Sequence, residues 1–460
     1  MMPAKRLTAG FITRYRTVLK WQAVDLARRK GMRWASYAKL FQYLFLKLTH
    51  NSGYLTHLLT AHRYYPTKLL TDLVRREGHT ISTTVDSLVP NTRLQDFTRV
   101  AASRTLILKT PDLRQDSIEK GVLLISFTDT SAYFHNHVNC EQLLRYFYVV
   151  LEPSWSGYCD VNILGWTKYQ PHPIVVQATE ERDYSFLVGL KSNLVPIPIG
   201  ASDWVDYRLF RPLPDVAKSY DAISVTNYDP VKRHHSLFKA LRQAADPSLR
   251  IALVFGRNGD AKGEILQLID HFNIKGNLVL HDTMSQKDLN IILNMSKVNL
   301  LLSLKEGSNR SIFEGFFANV PGIVLKNNIG VKKDYVNEST GRLIDERELA
   351  KTLLAFRTQW NHYNPRQWAL ENISPLITTE KLARCLENIA KNSGEPWRRG
   401  LVPKVNSPEA QYFSSDDEQA MPDSVEMLSL FSKNRANDVR GDVVLHAALR
   451  RICGARRRPG

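Results

Sequence analysis

Between Asp221 and Phe356 the chain alternates short runs of β-branched and aliphatic residues with segments whose apolar positions recur every three or four residues. The runs Ile223–Thr226, Ile251–Phe255, Leu278–Leu280, Val298–Leu302 and Gly322–Leu325 are short and apolar, and they read as buried strands. The segments Ser236–Ala245, Ala261–Phe272, Gln286–Met295 and Ser311–Ala318 carry the helical spacing. Strand starts fall 20 to 28 residues apart, which leaves room for one strand, one helix and two short loops. Such alternation predicts an α/β domain, a doubly wound parallel sheet covered by helices on both faces. In that architecture ligands bind beyond the carboxyl ends of the strands, so the residues just after each strand become the candidates for chemistry.

A less regular series, Leu106–Lys109, Val122–Phe127, Tyr148–Leu151, Ile174–Gln177 and Val195–Ile199, predicts a second, smaller α/β domain. The Pro-containing stretch Phe210–Pro214 is the expected link, and two such domains face to face make a cleft of the kind that ligands prefer. The expected organisation is a mostly helical extension over 1–80, the smaller domain over 81–212, the regular domain with closing helices over 213–395, and a tail over 396–460. The tail mixes Pro, Ser, Gly and charge with little periodicity, so it is expected to be irregular, with about the last twenty residues disordered.

With 460 residues, 43% hydrophobic and 23% charged, the chain is long enough for two cores. That composition excludes wholesale disorder, collagen-like repeats and a disulfide scaffold. The net charge of +17 favours an anionic partner. Thirteen Lys and Arg stand against the single acid Asp25 in the first seventy residues. Within them Trp34, Tyr37, Phe41, Leu44, Phe45 and Leu48 recur at helical spacing. An amphipathic helix of this kind either lies on an anionic membrane or packs its apolar face on the protein. Five arginines, Arg450, Arg451, Arg456, Arg457 and Arg458, close the chain. Cys140, Cys159, Cys385 and Cys453 have no metal-ligand spacing, which predicts a reducing compartment and no structural zinc. No apolar run approaches the ~18 residues of a membrane span. The expected location is cytoplasmic, with a peripheral place at a membrane left open.

The block from Ser303 to Gly322 carries the densest chemistry. Glu306 falls on the loop after a strand, Gly307 permits close backbone approach, and Ser308 or Asn309 suits a helix N-cap. The amides of that helix start, with Arg310, predict an anion site. Glu314 follows about one turn into the helix. An ionised carboxylate beside an anion site suits sugar or ribose hydroxyls, because it accepts hydrogen bonds and bridges neighbouring OH groups. Two glutamates on a helix and its entry loop are, taken alone, more often a solvated face.

The surrounding residues change that balance. Glu306 and Glu314, separated by seven residues and followed by Val320-Pro321-Gly322-Ile323-Val324, resemble the signature of retaining nucleotide-sugar glycosyltransferases of the GT-B fold, the fourth glycosyltransferase family. Ile199-Gly200-Ala201-Ser202-Asp203-Trp204-Val205-Asp206 resembles the segment that leads into the interdomain linker. Val225-Thr226-Asn227-Tyr228-Asp229-Pro230-Val231-Lys232-Arg233 resembles the strand and loop that open the nucleotide-binding domain, where an Arg and a Lys hold the donor diphosphate. Lys232 falls on the Lys position, while Asn227 stands where the Arg is usual, leaving Arg233 or Arg310 to supply that charge. Ile251–Gly256 resembles the next strand, with Gly256 giving the nucleotide room, and Val279–His281 occupies the place of base contacts. The likeness covers about Val195–Leu354, a third of the chain.

What the resemblance implies is a GT-B protein of two facing Rossmann-like domains, acceptor-binding over 81–212 and nucleotide-sugar-binding over 213–395. Lys232, Arg310 and helix-end amides would take the diphosphate, Glu314 the ribose and Glu306 the sugar. The family's Gly-rich loop is absent from the smaller domain; Thr128–His137 stands there, making His135 and His137 candidates for its catalytic role. Glu152 and Glu180 follow strands and are candidates for the acceptor side. The implied activity is metal-independent sugar transfer with retention, the nucleotide-sugar being a co-substrate and no cofactor being needed. The acceptor is expected to be a glycan or a lipid-linked molecule. A sugar-nucleotide-binding protein without transfer activity is a second reading, favoured by Asn227 and the missing Gly-rich loop. A nucleic-acid binder is a third, disfavoured because the bases gather at the termini.

Overall fold

The computed structural model describes residues 4–27, 32–51, 53–89, 94–113, 117–256, 261–407, 409–433 and 441–454. Arg28, Arg29 and Lys30 of the basic leader, and Arg456, Arg457 and Arg458 of the terminal cluster, lie outside the described residues. Two sheets form from the apolar runs, and the chain divides into two compact units. One comprises residues 34–204 with 373–460, the other residues 1–33 with 205–372.

The first unit is built on β1 (Thr105–Lys109), β2 (Gly121–Ser126), β3 (Phe147–Glu152), β4 (Ile174–Gln177) and β5 (Leu194–Ile197), which stand side by side in chain order. β1 pairs antiparallel with β2, and the remaining neighbours are parallel. Side chains alternate strictly across this sheet. Phe147, Val149 and Leu151 of β3 enter one core with Leu143, Ile163 and Trp166, while Tyr148 and Val150 enter another with Leu382 and Leu386. Each step from β2 to β5 moves in the same direction, and right-handed crossovers then leave their helices on one face. The opposite face is covered by the helix Pro375–Asn392, whose Leu382, Leu386 and Ala390 are fully buried. This is why the boundary expected at 395 falls earlier, at 372 to 373.

The tail expected to be irregular over 396–460 is corrected in the same way. Strands Lys404–Asn406 and Ala410–Tyr412 pair as a ribbon. Beyond them, Met427, Leu428, Phe431, Leu445, Leu449 and Ile452 are buried in the first unit's core. Apolar residues at i, i+4 and i+7 of the helix Gly441–Gly454 supply that face, and the surrounding charge and turn residues hid it in the sequence.

The second unit contains β6 (Ala222–Thr226), β7 (Ile251–Phe255), β8 (Leu278–His281), β9 (Asn299–Leu301), β10 (Gly322–Leu325) and β11 (Gly341–Ile344). They are ordered β11-β10-β9-β6-β7-β8 and all run parallel. The chain moves outward from β6 through β8, returns to lay β9 beside β6, and continues outward on the other side. That is the doubly wound order, and its reversal lies between β6 and β9.

The basic leader does not form one extension over 1–80. Helix Ala4–Leu26 belongs to the second unit, where Val18 and Trp21 are buried in its core and Trp21 donates to Glu264 at 2.7 Å. From Trp34 onward the leader belongs to the first unit, with Tyr43, Leu55, Leu58 and Leu59 in that unit's core. The apolar positions of the first helix therefore hold it to the sheet domain, and Trp21→Ala is expected to lower the unfolding free energy by about 3–5 kcal/mol. Urea denaturation of the full chain measures this; a shift near zero would mean that the helix is not docked.

Candidate active site

The strand-order reversal places the loops after β6 and β9 beside one another. After Thr226 the chain turns through Asn227–Asp229: the Asp229 amide donates to the Asn227 side chain at 3.1 Å, and the Val231 amide donates to the Asp229 side chain at 2.8 Å. These side-chain acceptors replace a continuing strand and deliver Lys232 at the end of a short turn, Pro230–Lys232. Lys232 Nζ donates to both oxygens of Glu306, at 2.8 and 2.9 Å. Two residues 74 positions apart, each singled out by sequence, therefore meet at the switch point.

Arg233 has a different part from the one expected. It adopts the left-handed conformation, φ 59° and ψ 42°, and its side chain is 1% exposed. Its guanidinium donates to both oxygens of Asp25 at 2.8 and 3.2 Å, pairs with Glu346 at 2.7 Å, and donates to the Leu302 carbonyl at 3.2 Å. Leu302 lies just past β9. Arg233 thus ties the loop after β6 to the end of β9, with the carboxylates neutralising a charge that burial would otherwise penalise. It is a structural clamp and is not available to a donor phosphate.

The loop bearing Glu306 is held by its backbone. The Glu306 amide donates to the Ile329 carbonyl at 2.7 Å, and the Ile329 amide donates to the Leu304 carbonyl at 2.8 Å. Asn328 reaches the Ser303 carbonyl at 2.8 Å. Gly330 follows at φ 108°, and a Cβ there would stand 2.2 Å from the Glu306 carbonyl oxygen. Sequence reasoning missed this support, as it missed Asp25; the Asn-Asn-Ile-Gly run was a turn signal, but nothing local tied it to Glu306.

Gly307 and Ser308 lie on the same loop, between Glu306 and Asn309. Asn309 accepts the Ile312 amide at 3.1 Å, as expected of a cap. The helix that follows is Ser311–Phe317, seven residues long. The amides of Ile312, Phe313 and Glu314 are already taken, by the Asn309 side chain and the Arg310 carbonyl, so in place of the expected amide site the fixed charge here comes from side chains. Arg310 Nε stands 3.7 Å from Glu314, which is buried. Burial pushes the Glu314 carboxyl above its ordinary value, an effect the neighbouring guanidinium partly offsets. Gly256 is exposed at the end of β7, its amide donating to the Thr226 carbonyl at 2.7 Å. Beside it, Tyr228 stacks on Phe255 with ring centroids 4.2 Å apart and donates to Asp282 at 2.9 Å.

The expected residues of the first unit serve its fold. His135 lies in the helix Thr130–His137, which replaces the expected loop; it is buried, with Nε2 3.0 Å from the Asn162 carbonyl and its ring 5.0 Å from Trp166. His137 is half-buried in the last turn, its ring 5.3 Å from Tyr133. Glu152 is buried, pairs with Lys404 at 2.8 Å and takes hydrogen bonds from Ser126 and Asn406. It fastens the ribbon strand Lys404–Asn406 to β3, because a buried carboxylate needs such partners. Glu180 caps the helix Glu181–Leu190 by accepting the Arg182 amide at 2.8 Å. Where a Gly-rich loop was absent, Phe127 takes φ 66°, a conformation that glycine adopts without penalty.

A family model, Glycosyl transferases group 1, matches residues 208–364, which span all six strands of the second unit's sheet. The matched segment is a group 1 glycosyltransferase domain. No curated protein sequence is matched. Among solved structures, sucrose-phosphate synthase from Thermosynechococcus elongatus is 14% identical, with 59% of this chain and 74% of that one covered and a TM-score of 0.46. Anabaena HepE in complex with UDP is 15% identical over 58% of this chain and 78% of its own, with a TM-score of 0.46. S. aureus TarM in complex with Fondaparinux, alpha-GlcNAc-glycerol and UDP is 15% identical over 52% and 50%, with a TM-score of 0.42.

The clamp and the backbone support each predict a result. Asp25→Asn removes the bidentate partner of a buried guanidinium and is expected to lower stability by about 3 kcal/mol, measured by urea denaturation. Gly330→Ala forces the Glu306 carbonyl to move and is expected to cut sugar transfer more than about tenfold. Gly394→Ala, at φ 68° but with open space around it, is the control that leaves transfer unchanged.

Proposed function

We propose that the second unit binds a nucleotide-sugar at the β6–β9 switch point and transfers its sugar with retention, without a metal ion, to a glycan or lipid-linked acceptor. The observation that carries this reading is the Lys232–Glu306 pair at 2.8 Å, with the Glu306 loop held by backbone hydrogen bonds to Ile329. Lys232 and Arg310 are the candidate cations for the donor diphosphate, Glu306 the acceptor of sugar hydroxyl hydrogen bonds, and Glu314 the partner of the ribose. As the glycosidic bond to the diphosphate breaks, negative charge grows on the leaving oxygens, and fixed cations stabilise it without a metal. An acceptor attached to lipid would bring the enzyme to an anionic membrane surface.

The alternative of a sugar-nucleotide-binding protein without transfer activity keeps the same donor contacts, so turnover and binding must be measured separately. Glu306→Gln is expected to reduce transfer by at least about a hundredfold, judged by nucleotide diphosphate release. Thermal stabilisation by a panel of nucleotide diphosphates is expected to survive in Glu306→Gln and to be lost in Lys232→Ala. Transfer by Glu306→Gln at the wild-type rate rejects the site, and stabilisation without release across an acceptor panel favours the binding protein. Chelation with EDTA is expected to leave transfer unchanged.

The raised Glu314 carboxyl adds a pH dependence. The ionised form offers both oxygens as strong acceptors to the ribose hydroxyls, and it is lost on acidification at a pH above the ordinary glutamate value of 4.5. Donor affinity is therefore expected to fall as pH drops towards that value from above. In Glu314→Gln the affinity should be weaker and flat across the same range; equal pH profiles for the two proteins would remove Glu314 from the ribose.

A further inference from the structure

The helix Met32–Leu48 is docked the opposite way round from an ordinary surface helix. Its inward side joins polar anchors to a few core contacts: Ser36 donates to the Ala61 carbonyl at 2.8 Å, Tyr43 enters the core and donates to Glu77 at 2.8 Å, Leu40 packs against the same core, and Lys47 pairs with Glu77. Ser36 and Tyr43 are the buried residues of this helix. Its large apolar side chains point outward. Trp34 is 74% exposed, Phe41 70% and Leu48 80%, with Tyr37, Leu44 and Phe45 also exposed. At 3.6 residues per turn these six fall within an arc of about 100°, forming one continuous aromatic and leucine stripe. Such a stripe in water is unfavourable unless something covers it.

The surrounding charge says what covers it. From residue 26 to residue 71 the chain has eight Lys and Arg and no acid. A second copy docked on this stripe about a two-fold axis would bring like charge against like charge. An anionic bilayer supplies both apolar depth for the rings and negative headgroups for the cations. Among the described residues no helix is long and apolar enough to cross a membrane. The helix accordingly suits the plane of the interface.

We infer that the outward face of Met32–Leu48 is an interfacial membrane-binding surface selective for anionic lipid, with Trp34, Phe41 and Phe45 inserted among the acyl chains. This deepens the proposed placement of the enzyme at a membrane, and its test fails separately from the transferase reading. The full chain is sedimented with vesicles of phosphatidylcholine alone and of phosphatidylcholine with phosphatidylglycerol. It is expected to bind the anionic vesicles at least about tenfold better, and rising salt is expected to weaken that binding.

The variant Trp34→Ser with Phe41→Ser and Phe45→Ser is expected to lose at least about tenfold of the partitioning while its mass in solution is unchanged. Its thermal stabilisation by nucleotide diphosphate should equal that of the wild type, so loss of donor binding elsewhere is told apart from loss of this surface. Failure of the wild type to bind anionic vesicles, or equal binding by the variant, overturns the inference. A wild-type dimer that the variant reduces to a monomer also overturns it, assigning the stripe to a second copy. Should the triple variant fail to fold, Trp34→Phe decides: brominated lipid quenches tryptophan fluorescence less than in the wild type if Trp34 enters the bilayer, and equally if it does not.

Discussion

The buried guanidinium of Arg233 is the contact on which the candidate site depends. It joins Asp25 of the leader helix, Glu346 and the backbone just past β9, and it does so from the residue next to Lys232. A charge taken out of water demands partners on every side, so three segments distant in sequence are drawn to one point. The left-handed backbone at Arg233 then follows from the demand that its side chain turn inward while Lys232 remains partly exposed. Position and candidate chemistry are thus divided between neighbours: Arg233 fixes the frame, and Lys232 stays partly exposed as the proposed donor contact.

The sheet supplies the second constraint. Parallel strands joined by right-handed crossovers can be covered on both faces only if the winding reverses or if another element is brought in. The second unit reverses between β6 and β9, and that reversal brings together the two loops on which Lys232 and Glu306 meet. The first unit does not reverse within its described sheet; its far face is closed by the helix Pro375–Asn392 and by the ribbon that Lys404 and Glu152 pin to β3. One covering problem has two solutions in one chain, and only the first leaves a gap between neighbouring strand ends. Glu152 follows a strand as the sequence suggested, but it belongs to the covering and not to a crevice.

These constraints also explain what the sequence disclosed. Strands such as Ile251–Phe255 were legible because a buried parallel strand is an unbroken apolar run, and Glu306 with Lys232 because spacing and order marked them. Arg233 was misread because burial is invisible locally: an arginine after Lys232 looks like loop charge until Asp25, more than two hundred residues away, is seen beside it. The structural partners of His135 and Glu180 were invisible for the same reason, being an Asn162 carbonyl and a helix amide that carry no sequence signal. The tail failed differently. Met427, Phe431 and Leu449 are spaced for burial, but the charged and turn-forming residues between them outweighed the pattern in a composition reading. The helix Met32–Leu48 had its amphipathic period read correctly, and only the structure says which side faces the protein.

The Lys232–Glu306 pair carries a consequence for selectivity under the donor reading. With side chains 20% and 10% exposed, the two charges meet largely out of bulk water. A nucleotide diphosphate that draws Lys232 away costs Glu306 this ion pair, and a free sugar that engages Glu306 costs Lys232 the same contact. A nucleotide-sugar brings phosphate oxygens to the one and hydroxyls to the other in a single molecule, so both groups keep partners while the pair opens. Part of the binding free energy is spent in separating the pair, and that part is recovered in full only by the intact donor. The same opening leaves Lys232 on the diphosphate when the glycosidic bond breaks, where its charge matters more than in the ground state. Under the donor reading, an ion pair that is ordinary in the free protein would thus favour the whole donor over either of its halves.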